Sequence, residues 1–436
     1  MKMQKIKFSS WIYPSLIFMI ASLQYANTIS ADYAWDDKLV ITGNDYTREG
    51  IHGLYDIFTK RVSVPYKNVY RPVPQAMFAV EYDFFNQNPH YSHFFNLFWY
   101  AILCVTIFFY IRILFPQFHP LFPFAASLLY AVHPLHVEVV ANIKSRDEVL
   151  ALLFGLCSII LLVKTTRKKW WLFPGSVLCF ALALLSKENV ITLLPVAGLS
   201  LWYYKKNIGN FRLLIIFFLL VLGTGLFYWI SQGISAAAQK GAMHLDATVL
   251  NNVFLWTKNS SKIIPTAIIN IGRYLLLFIY PHPLIHLYGY NQIPLEGWNS
   301  YKVWCVTALL IYGCWYVFRN FKRKTPAVFG ILYFAITYSV YSNFLVLVPD
   351  TMADRYLFIP SLGLVLIATD IFFYFFRPVS ENIFFNTASS KIAAGIFFVF
   401  VAGHFIRTFI ANRDWENDYS LIYNRIKYME LSLIHI

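Results

Sequence analysis

Apolar residues occur in long runs along this chain, and short polar segments separate the runs. Many runs contain roughly 17 to 24 residues, the length that an α-helix needs to cross a hydrocarbon core of about 30 Å. The pattern predicts eleven spans: 11–26, 93–114, 121–139, 148–163, 171–186, 190–204, 211–230, 302–318, 325–348, 356–376 and 392–409. We therefore expect an all-α polytopic membrane protein.

Basic residues between the runs define the predicted orientation. Lys and Arg are retained on the cytoplasmic side of membrane helices. With alternating crossings, the basic clusters all fall on one side: Arg112, 164–169, 205–212, 319–324 and the pair Arg377/Lys391. This places the N-terminus in the cytoplasm and the C-terminus outside it.

One apolar stretch, Ile263–Tyr280, breaks this alternation. A full crossing there would move the basic residues 319–324 to the outer side. The prolines Pro281 and Pro283 and a polar sequence come directly after it. We therefore expect 263–292 to be a re-entrant or interfacial segment, which needs protein or water around its backbone.

The spans divide the chain into one transmembrane domain, 1–409, and a short extracytoplasmic tail, 410–436. Two outer regions are long: the first outer loop, 28–92, and a second region, 231–300, that includes the re-entrant segment. The N-terminal lysines and the first apolar run resemble a signal peptide. Because so many spans come after it, an uncleaved first helix is the preferred interpretation.

Composition supports a membrane protein and argues against nucleic-acid binding. Hydrophobic residues make up 58% of the chain and charged residues 13%, whereas soluble domains carry about 25% charged residues. The net charge of +14 is distributed in clusters between spans and not along one stripe. Topology explains such clusters, so lipid is the expected surrounding.

The first candidate for chemistry is the pair Asp36-Asp37, which lies shortly after the first span. A carboxylate in a partly buried loop can act as a general base if it lies within hydrogen-bond reach of the proton. An acidic pair in a loop is more often a solvated turn. The concentration of further polar residues on the outer side favours a catalytic role here.

His133, His136 and Glu138 lie at the outer end of the third span. The histidines are three residues apart, which would place them on one helix face. A zinc site is a weaker hypothesis, because Pro134 disturbs the helix between them and no further ligand is evident. We expect polar side chains that orient a head group or a carboxylate, and no metal.

Cations on the outer side run against the positive-inside trend. Arg146 lies beside Asp147 and Glu148, whose carboxylates suit a helix N-terminus. Lys187 and Glu188 form a charged pair in a turn at membrane level, for which a structural ion pair and a site role are equally acceptable.

Arg355 comes after Asp354 at the start of the tenth span, and Arg71 lies in the first outer loop. Arginine suits bidentate phosphate recognition. Ionisable groups at membrane depth are costly and usually functional. The four cations are therefore candidate ligands of a lipid phosphate: Arg71, Arg146, Lys187 and Arg355.

The ordered motifs resemble those of the transmembrane and tetratricopeptide-repeat-containing proteins, relatives of protein O-mannosyltransferases in the GT-C glycosyltransferase class. The motifs are Trp35-Asp36-Asp37, Tyr70-Arg71-Pro72, His133-Pro134-Leu135-His136-Val137-Glu138, Ser145-Arg146-Asp147-Glu148, Leu185-Ser186-Lys187-Glu188, Ala353-Asp354-Arg355-Tyr356-Leu357 and Arg413-Asp414-Trp415. They extend over almost the whole chain.

The resemblance implies a GT-C-like bundle and an inverting, metal-independent sugar transfer without a cofactor. The donor would be a polyprenyl-phosphate sugar, and the acceptor a hydroxyl on an extracytoplasmic protein or glycan. Asp36 or Asp37 would be the base. Arg355, Lys187, Arg146 and Arg71 would hold the donor phosphate, supported by His133, His136, Glu138, Glu188 and Asp354. A bacterial inner membrane is preferred over the endoplasmic reticulum.

Two alternatives belong to other functional classes. One is a transporter or flippase, although polar residues at the midplane and a symmetric pair of broken helices are not evident. The other is a catalytically inactive scaffold. The family continues into repeats of about 34 residues, and 412–436 is too short for one, so the acceptor is the least defined part of the prediction.

Overall fold

The computed structural model describes residues 11–59, 70–204, 252–257, 260–285, 292–344, 347–375 and 388–428, together with residues 223, 225 and 288. This part of the chain folds into helices and connecting turns, with no β-strand. The predicted span 211–230 and most of the outer segment 231–262 lie outside the described residues. The all-α prediction is confirmed for the part described.

Ten α-helices and several 3-10 turns form the first half of the described chain. The helices are α1 (Ile12–Gln24), α2 (Asp45–Arg48), α3 (Leu54–Thr59), α4 (Pro72–Phe85), α5 (Pro89–Leu114), α6 (Leu121–Val132), α7 (Val137–Ala141), α8 (Arg146–Lys164), α9 (Leu172–Ser186) and α10 (Leu193–Tyr204). The first outer loop thus contains α2, α3 and α4, and it packs against the bundle instead of extending away from it.

Seven α-helices form the second half. They are α11 (Val253–Trp256), α12 (Ser260–Ile279), α13 (Tyr301–Asn320), α14 (Pro326–Tyr338), α15 (Ser361–Phe375), α16 (Ala388–Ala411) and α17 (Asp418–Tyr428). The 3-10 turn Asp354–Leu357 precedes α15, and the 3-10 turn Asn412–Trp415 joins α16 to α17.

Helix α5 lies at the centre of the bundle. The Asn88 side chain caps its N-terminus by accepting a hydrogen bond from the backbone amide of His90 at 3.0 Å, and Pro89 occupies the first turn, where a missing N–H costs little. The helix packs against α1, α6 and α8. Helices α13 and α16 are largely exposed, as expected of helices that face lipid.

The third predicted span is bent. Helix α6 ends at Val132 because Pro134 disfavours helical backbone at the preceding residue, His133. After a 3-10 turn, α7 continues at an angle of 53° to α6. The bend brings His133, His136 and Glu138 to the end of the bundle where the first outer loop packs.

Four of the described helices are long and apolar enough to cross a membrane, and the bent pair α6–α7 makes a possible fifth. Four more apolar helices contain 13 to 16 residues, among them α1, α9 and α15. These features fit a multi-pass membrane protein. Eleven spans remain a prediction, since several of the runs form helices shorter than a full crossing.

The segment expected to be re-entrant or interfacial begins with a continuous helix. Residues Ser260–Ile279 form α12, and Ser261–Ile279 is long and apolar enough to cross a membrane. Pro265 lies inside this helix, where it removes one backbone hydrogen bond. Whether 263–292 is re-entrant or interfacial stays a prediction.

Glycines allow α14 and α15 to approach closely, and they give a testable prediction. A Cβ atom at Gly330 would lie 2.4 Å from the Gly363 carbonyl oxygen. Replacing Gly330 with alanine should separate the helices and lower stability by roughly 1–3 kcal/mol. Thermal unfolding in detergent measures this effect. The control is Gly313→Ala on α13, where a Cβ meets no described atom within 4 Å, and equal melting of both variants would contradict the prediction.

Candidate functional site

The aspartate pair lies in a tight turn of the first outer loop. Asp37 is 1% exposed, and its carboxylate accepts hydrogen bonds from the backbone amides of Ala34 at 3.2 Å and Lys144 at 2.6 Å. Burial raises the pKa of Asp37 to about 7, although these hydrogen bonds oppose the change. Asp37 therefore ties the turn to the bundle, whereas the neighbouring Asp36 is only half-buried.

Three cations converge on the carboxylate of Asp147, in the first turn of α8. Arg71 forms a salt bridge and hydrogen bond with it. The Lys187 and Lys144 ammonium groups lie 3.3 Å and 3.7 Å from its oxygens. Further carboxylates contact these cations. We call the whole group of cations and carboxylates the Asp147 cluster: Asp36, Arg71, Lys144, Asp147, Glu148, Lys187 and Glu188.

Two of these cations are fully engaged with carboxylates. Arg71 forms a bidentate pair with Glu188, at 3.1 Å from Nε and 2.6 Å from Nη2. Burial acts in the opposite direction, but the Arg71 guanidinium lowers the pKa of Glu188 to about 2. Lys187 also lies 2.8 Å from Glu148. Lys187 and Glu188 thus both belong to an ion-pair network.

Lys144 is held more loosely. Its ammonium lies 3.9 Å from Asp36 and 3.7 Å from Asp147, which is beyond the usual hydrogen-bond distance of about 3.2 Å. Burial lowers the pKa of Lys144 to about 8, although Asp147 opposes the shift. Within the described chain, this ammonium therefore retains capacity to bind an anion beside Asp36.

Arg146 points away from this cluster, and its role as a ligand of the donor phosphate stays a prediction. Its side chain is 0% exposed. The guanidinium pairs with Glu81 of α4 and donates to the Asn96 side chain at 2.6 Å and the Ser92 carbonyl at 2.9 Å. Arg146 thus fastens the first outer loop to α5.

Arg355 lies in a second group of charges, which we call the Arg355 cluster: Glu138, Asp350, Asp354, Arg355 and Tyr356. The Arg355 guanidinium pairs with Glu138 and Asp350. Its backbone amide also donates to Glu138 at 2.8 Å. Asp354 accepts hydrogen bonds from Tyr288 at 3.0 Å and the Ile285 amide at 3.1 Å, and burial raises its pKa.

A polar path links the two clusters. The Asn189 amide donates one hydrogen bond to the Glu148 carboxylate at 3.0 Å and another to the Tyr341 hydroxyl. The Tyr341 ring stacks on Tyr356 with centroids 4.5 Å apart. The Tyr356 hydroxyl in turn donates to Asp350 at 3.2 Å. Residues from both halves of the sequence therefore form one polar region at the same end of the bundle.

The two histidines are buried beside this region. The ring nitrogens of His133 contact the Phe278 carbonyl at 3.0 Å and the Leu135 amide at 3.3 Å. Those of His136 contact Tyr100 at 3.1 Å and Ser361 at 2.9 Å. Both rings are thus held by protein groups. Among the residues that the structure describes, no three His, Cys, Asp or Glu side chains are arranged to hold a metal.

A small cavity lies between the Arg355 cluster and the C-terminal segment. It has a volume of about 20 Å³ and is lined in part by Glu138, Asp354, Asp414, Trp415 and Asn424. That volume is enough for about one water molecule. The cavity is therefore too small to hold a sugar in this conformation.

The sequence patterns did not indicate three residues that the structure places at the site. Lys144 lies two residues before Arg146, and the same motif favours the arginine as a phosphate ligand. Glu81 and Asp418 lie in helices α4 and α17, outside the quoted motifs. Only the predicted outer position of these segments could have suggested them.

Curated relatives were found in comparisons with known proteins, although no family model matches the chain. The Caenorhabditis elegans protein O-mannosyl-transferase F38B6.6 is 26% identical over 382 residues, 82% of this chain and 51% of that protein. Human protein O-mannosyl-transferase TMTC2 is 31% identical over 238 residues, 48% of this chain and 28% of that protein.

Human protein O-mannosyl-transferase TMTC3 is 23% identical over 394 residues, which cover 82% of this chain and 40% of that protein. The chain thus spans about half, or less, of the length of these three relatives.

Proposed function

Since the chain is related to the TMTC-like protein O-mannosyl-transferases, as its motifs predict, we propose that it is a membrane glycosyltransferase. It transfers a mannose-like sugar from a polyprenyl-phosphate carrier to a hydroxyl of an extracytoplasmic protein or glycan. The observation that supports this most strongly is the loosely held Lys144 ammonium, which lies between the carboxylates of Asp36 and Asp147 within the Asp147 cluster.

Asp36 is proposed as the general base. Asp37 is enclosed and both of its carboxylate oxygens accept backbone hydrogen bonds, so it holds the turn. The Asp36 side chain is 16% exposed and lies beside Lys144. It removes the proton of the acceptor hydroxyl as that oxygen bonds to the anomeric carbon. A base at this position contributes on the order of 10²–10⁴-fold to the rate.

The cations of the Asp147 cluster are proposed to stabilise the leaving group. As the bond between the anomeric carbon and the phosphate oxygen breaks, its electrons pass to the polyprenyl phosphate. Lys144 lies beside Asp36 and has donors to spare. Arg71 pairs with the same Asp147 oxygen that Lys144 approaches, and Lys187 lies at the other oxygen. Preorganised cations act where charge develops, without reorganisation during the reaction.

The transfer assay tests the proposal. Membranes that contain the chain are incubated with a polyprenyl phosphate that carries labelled mannose, and protein and glycan fractions are counted. We expect label in the protein or glycan fraction, and none from a labelled sugar nucleotide alone. Accumulation of intact labelled donor across vesicles without transfer would instead support a flippase. Neither transfer nor transport would support a scaffold and contradict the proposal.

The pH dependence of transfer should report on Lys144. Its pKa of about 8 lies below the ordinary lysine value of 10.5, and only the protonated form binds phosphate. We therefore expect kcat/KM, which reports ionisations of the free enzyme, to fall above pH 8. Lys144→Arg should move this decline to higher pH because arginine stays protonated. Lys144→Met should lower kcat/KM roughly 10²-fold below pH 8, where the wild-type ammonium is protonated.

Unfolding does not account for this alkaline decline. A lysine whose pKa is lowered in the folded state binds fewer protons than in the unfolded chain between pH 8 and 10.5. The contribution of Lys144 to stability therefore rises with pH in that range. An alkaline limb that is identical in Lys144→Arg and the wild type would contradict the assignment.

A further inference from the structure

The C-terminal segment after α16 folds back onto the turn that carries the aspartate pair. The Glu416 carbonyl accepts a hydrogen bond from the Asp32 amide at 2.9 Å. The Asn412 side chain donates to the Gln24 carbonyl at 3.0 Å and contacts Asn27 at 2.8 Å. These contacts join residues almost 400 positions apart in the chain and bring α17 beside the first outer loop.

Asp418, in the first turn of α17, makes the most direct contact with the turn. Its Oδ1 accepts a hydrogen bond from the backbone amide of Trp35 at 2.7 Å. Its Oδ2 pairs with Lys38. One carboxylate thus binds the residue before Asp36-Asp37 and the residue after the pair.

The backbone it binds is unusual. Trp35 has φ +52°, a left-handed conformation that a bulky residue rarely adopts and that persists only when neighbouring contacts hold it. Asp37 fixes the inner side of the turn through the Ala34 and Lys144 amides. Asp418 fixes the outer side of the turn through the Trp35 amide. The Asp36 side chain lies between the two anchors, Asp37 and Asp418, and beside Lys144.

We infer that Asp418 is a positioning residue, which holds the Trp35 backbone so that Asp36 faces the other members of the Asp147 cluster. The expected effect on turnover rests on the proposed function, in which Asp36 is the base. The C-terminal segment is then part of the active centre. Small displacements of a catalytic group are sufficient to lower turnover strongly.

The test compares two substitutions at this position. Asp418→Ala removes both contacts and should lower kcat roughly 10- to 100-fold, with the KM for the lipid-linked donor unchanged. Asp418→Asn keeps an oxygen that accepts from the Trp35 amide and loses only the charge, so it should recover most of kcat. The matched control is Glu416→Ala on the same segment, where the backbone and not the side chain makes the contact.

A second measurement does not require catalysis. In a chain whose five cysteines are replaced by serine, Asp36→Cys is labelled with a small maleimide. Adding Asp418→Ala should change the labelling rate several-fold, and adding Asp418→Asn should not. If the wild type transfers no sugar, the proposed function fails, while these rates still decide the role of Asp418. Equal kcat and equal labelling rates in Asp418→Ala and the wild type would overturn the inference.

Discussion

Replacing Asp36 with asparagine is expected to lower kcat for sugar transfer on the order of 10²–10⁴-fold, the contribution of a positioned general base. The amide cannot accept the hydroxyl proton, yet it keeps the size of the side chain. The KM for the donor should change little, since Lys144, Arg71 and Lys187 remain. The measurement is transfer of labelled mannose by purified variants at equal amounts of folded protein.

The neighbouring residues supply the controls. Glu49→Gln alters an exposed acid of the same loop and should leave transfer unchanged. Asp37→Asn replaces one of two carboxylate oxygens, each of which accepts from a different backbone amide, with an NH2 donor, so the turn should loosen and both activity and stability should fall. If Asp37→Asn abolished transfer in a stable protein while Asp36→Asn stayed active, the roles of the two aspartates would be reversed.

The second large effect concerns Arg146 and Glu81. Their ion pair is buried, and removal of one partner leaves the other charge without compensation. Arg146→Met should therefore destabilise the protein by about 3–5 kcal/mol, with low yield and early melting in detergent.

A double variant shows whether a defect of Arg146→Met comes from the uncompensated Glu81 charge or from the loss of a phosphate ligand. Arg146→Met combined with Glu81→Leu removes both charges and should restore much of the stability. Arg319→Met at the exposed end of α13 serves as the control for charge removal. A folded Arg146→Met protein that had lost only its donor affinity would contradict the structural role and support phosphate binding by Arg146.

The hydrophobic pattern predicted most of the architecture, because the length of each apolar run determines where a helix can form. Ten of the eleven predicted spans coincide with described helices along much of their length, from Ile12–Gln24 to Ala388–Ala411. The pattern could not predict that α6 bends after Val132 by 53°, or that α12 is continuous. The bend depends on Pro134, which comes directly after α6, and the continuity of α12 depends on how the helix accommodates Pro265.

The predicted membrane orientation placed the charged motifs on one side, but it did not predict which of their side chains pair with each other. Arg71 and Glu188 are 117 residues apart, and nothing in either motif indicates the other. Within one motif, the 3-10 turn directs Lys144 toward the outer cluster and Arg146 into the bundle. The sequence contains no signal that distinguishes these two cations, so it could not predict that Arg146 is buried in an ion pair with Glu81.

The most direct test of one shared active centre is thiol labelling with a membrane-impermeant maleimide. Asp36→Cys and Glu188→Cys are made separately in a cysteine-free chain, with Lys168→Cys marking the opposite membrane face. We predict that positions 36 and 188 are labelled from the same side, opposite position 168, and that polyprenyl-phosphate mannose slows labelling at both. Labelling of 36 and 188 from opposite sides, or at rates that the donor does not change, would contradict the account.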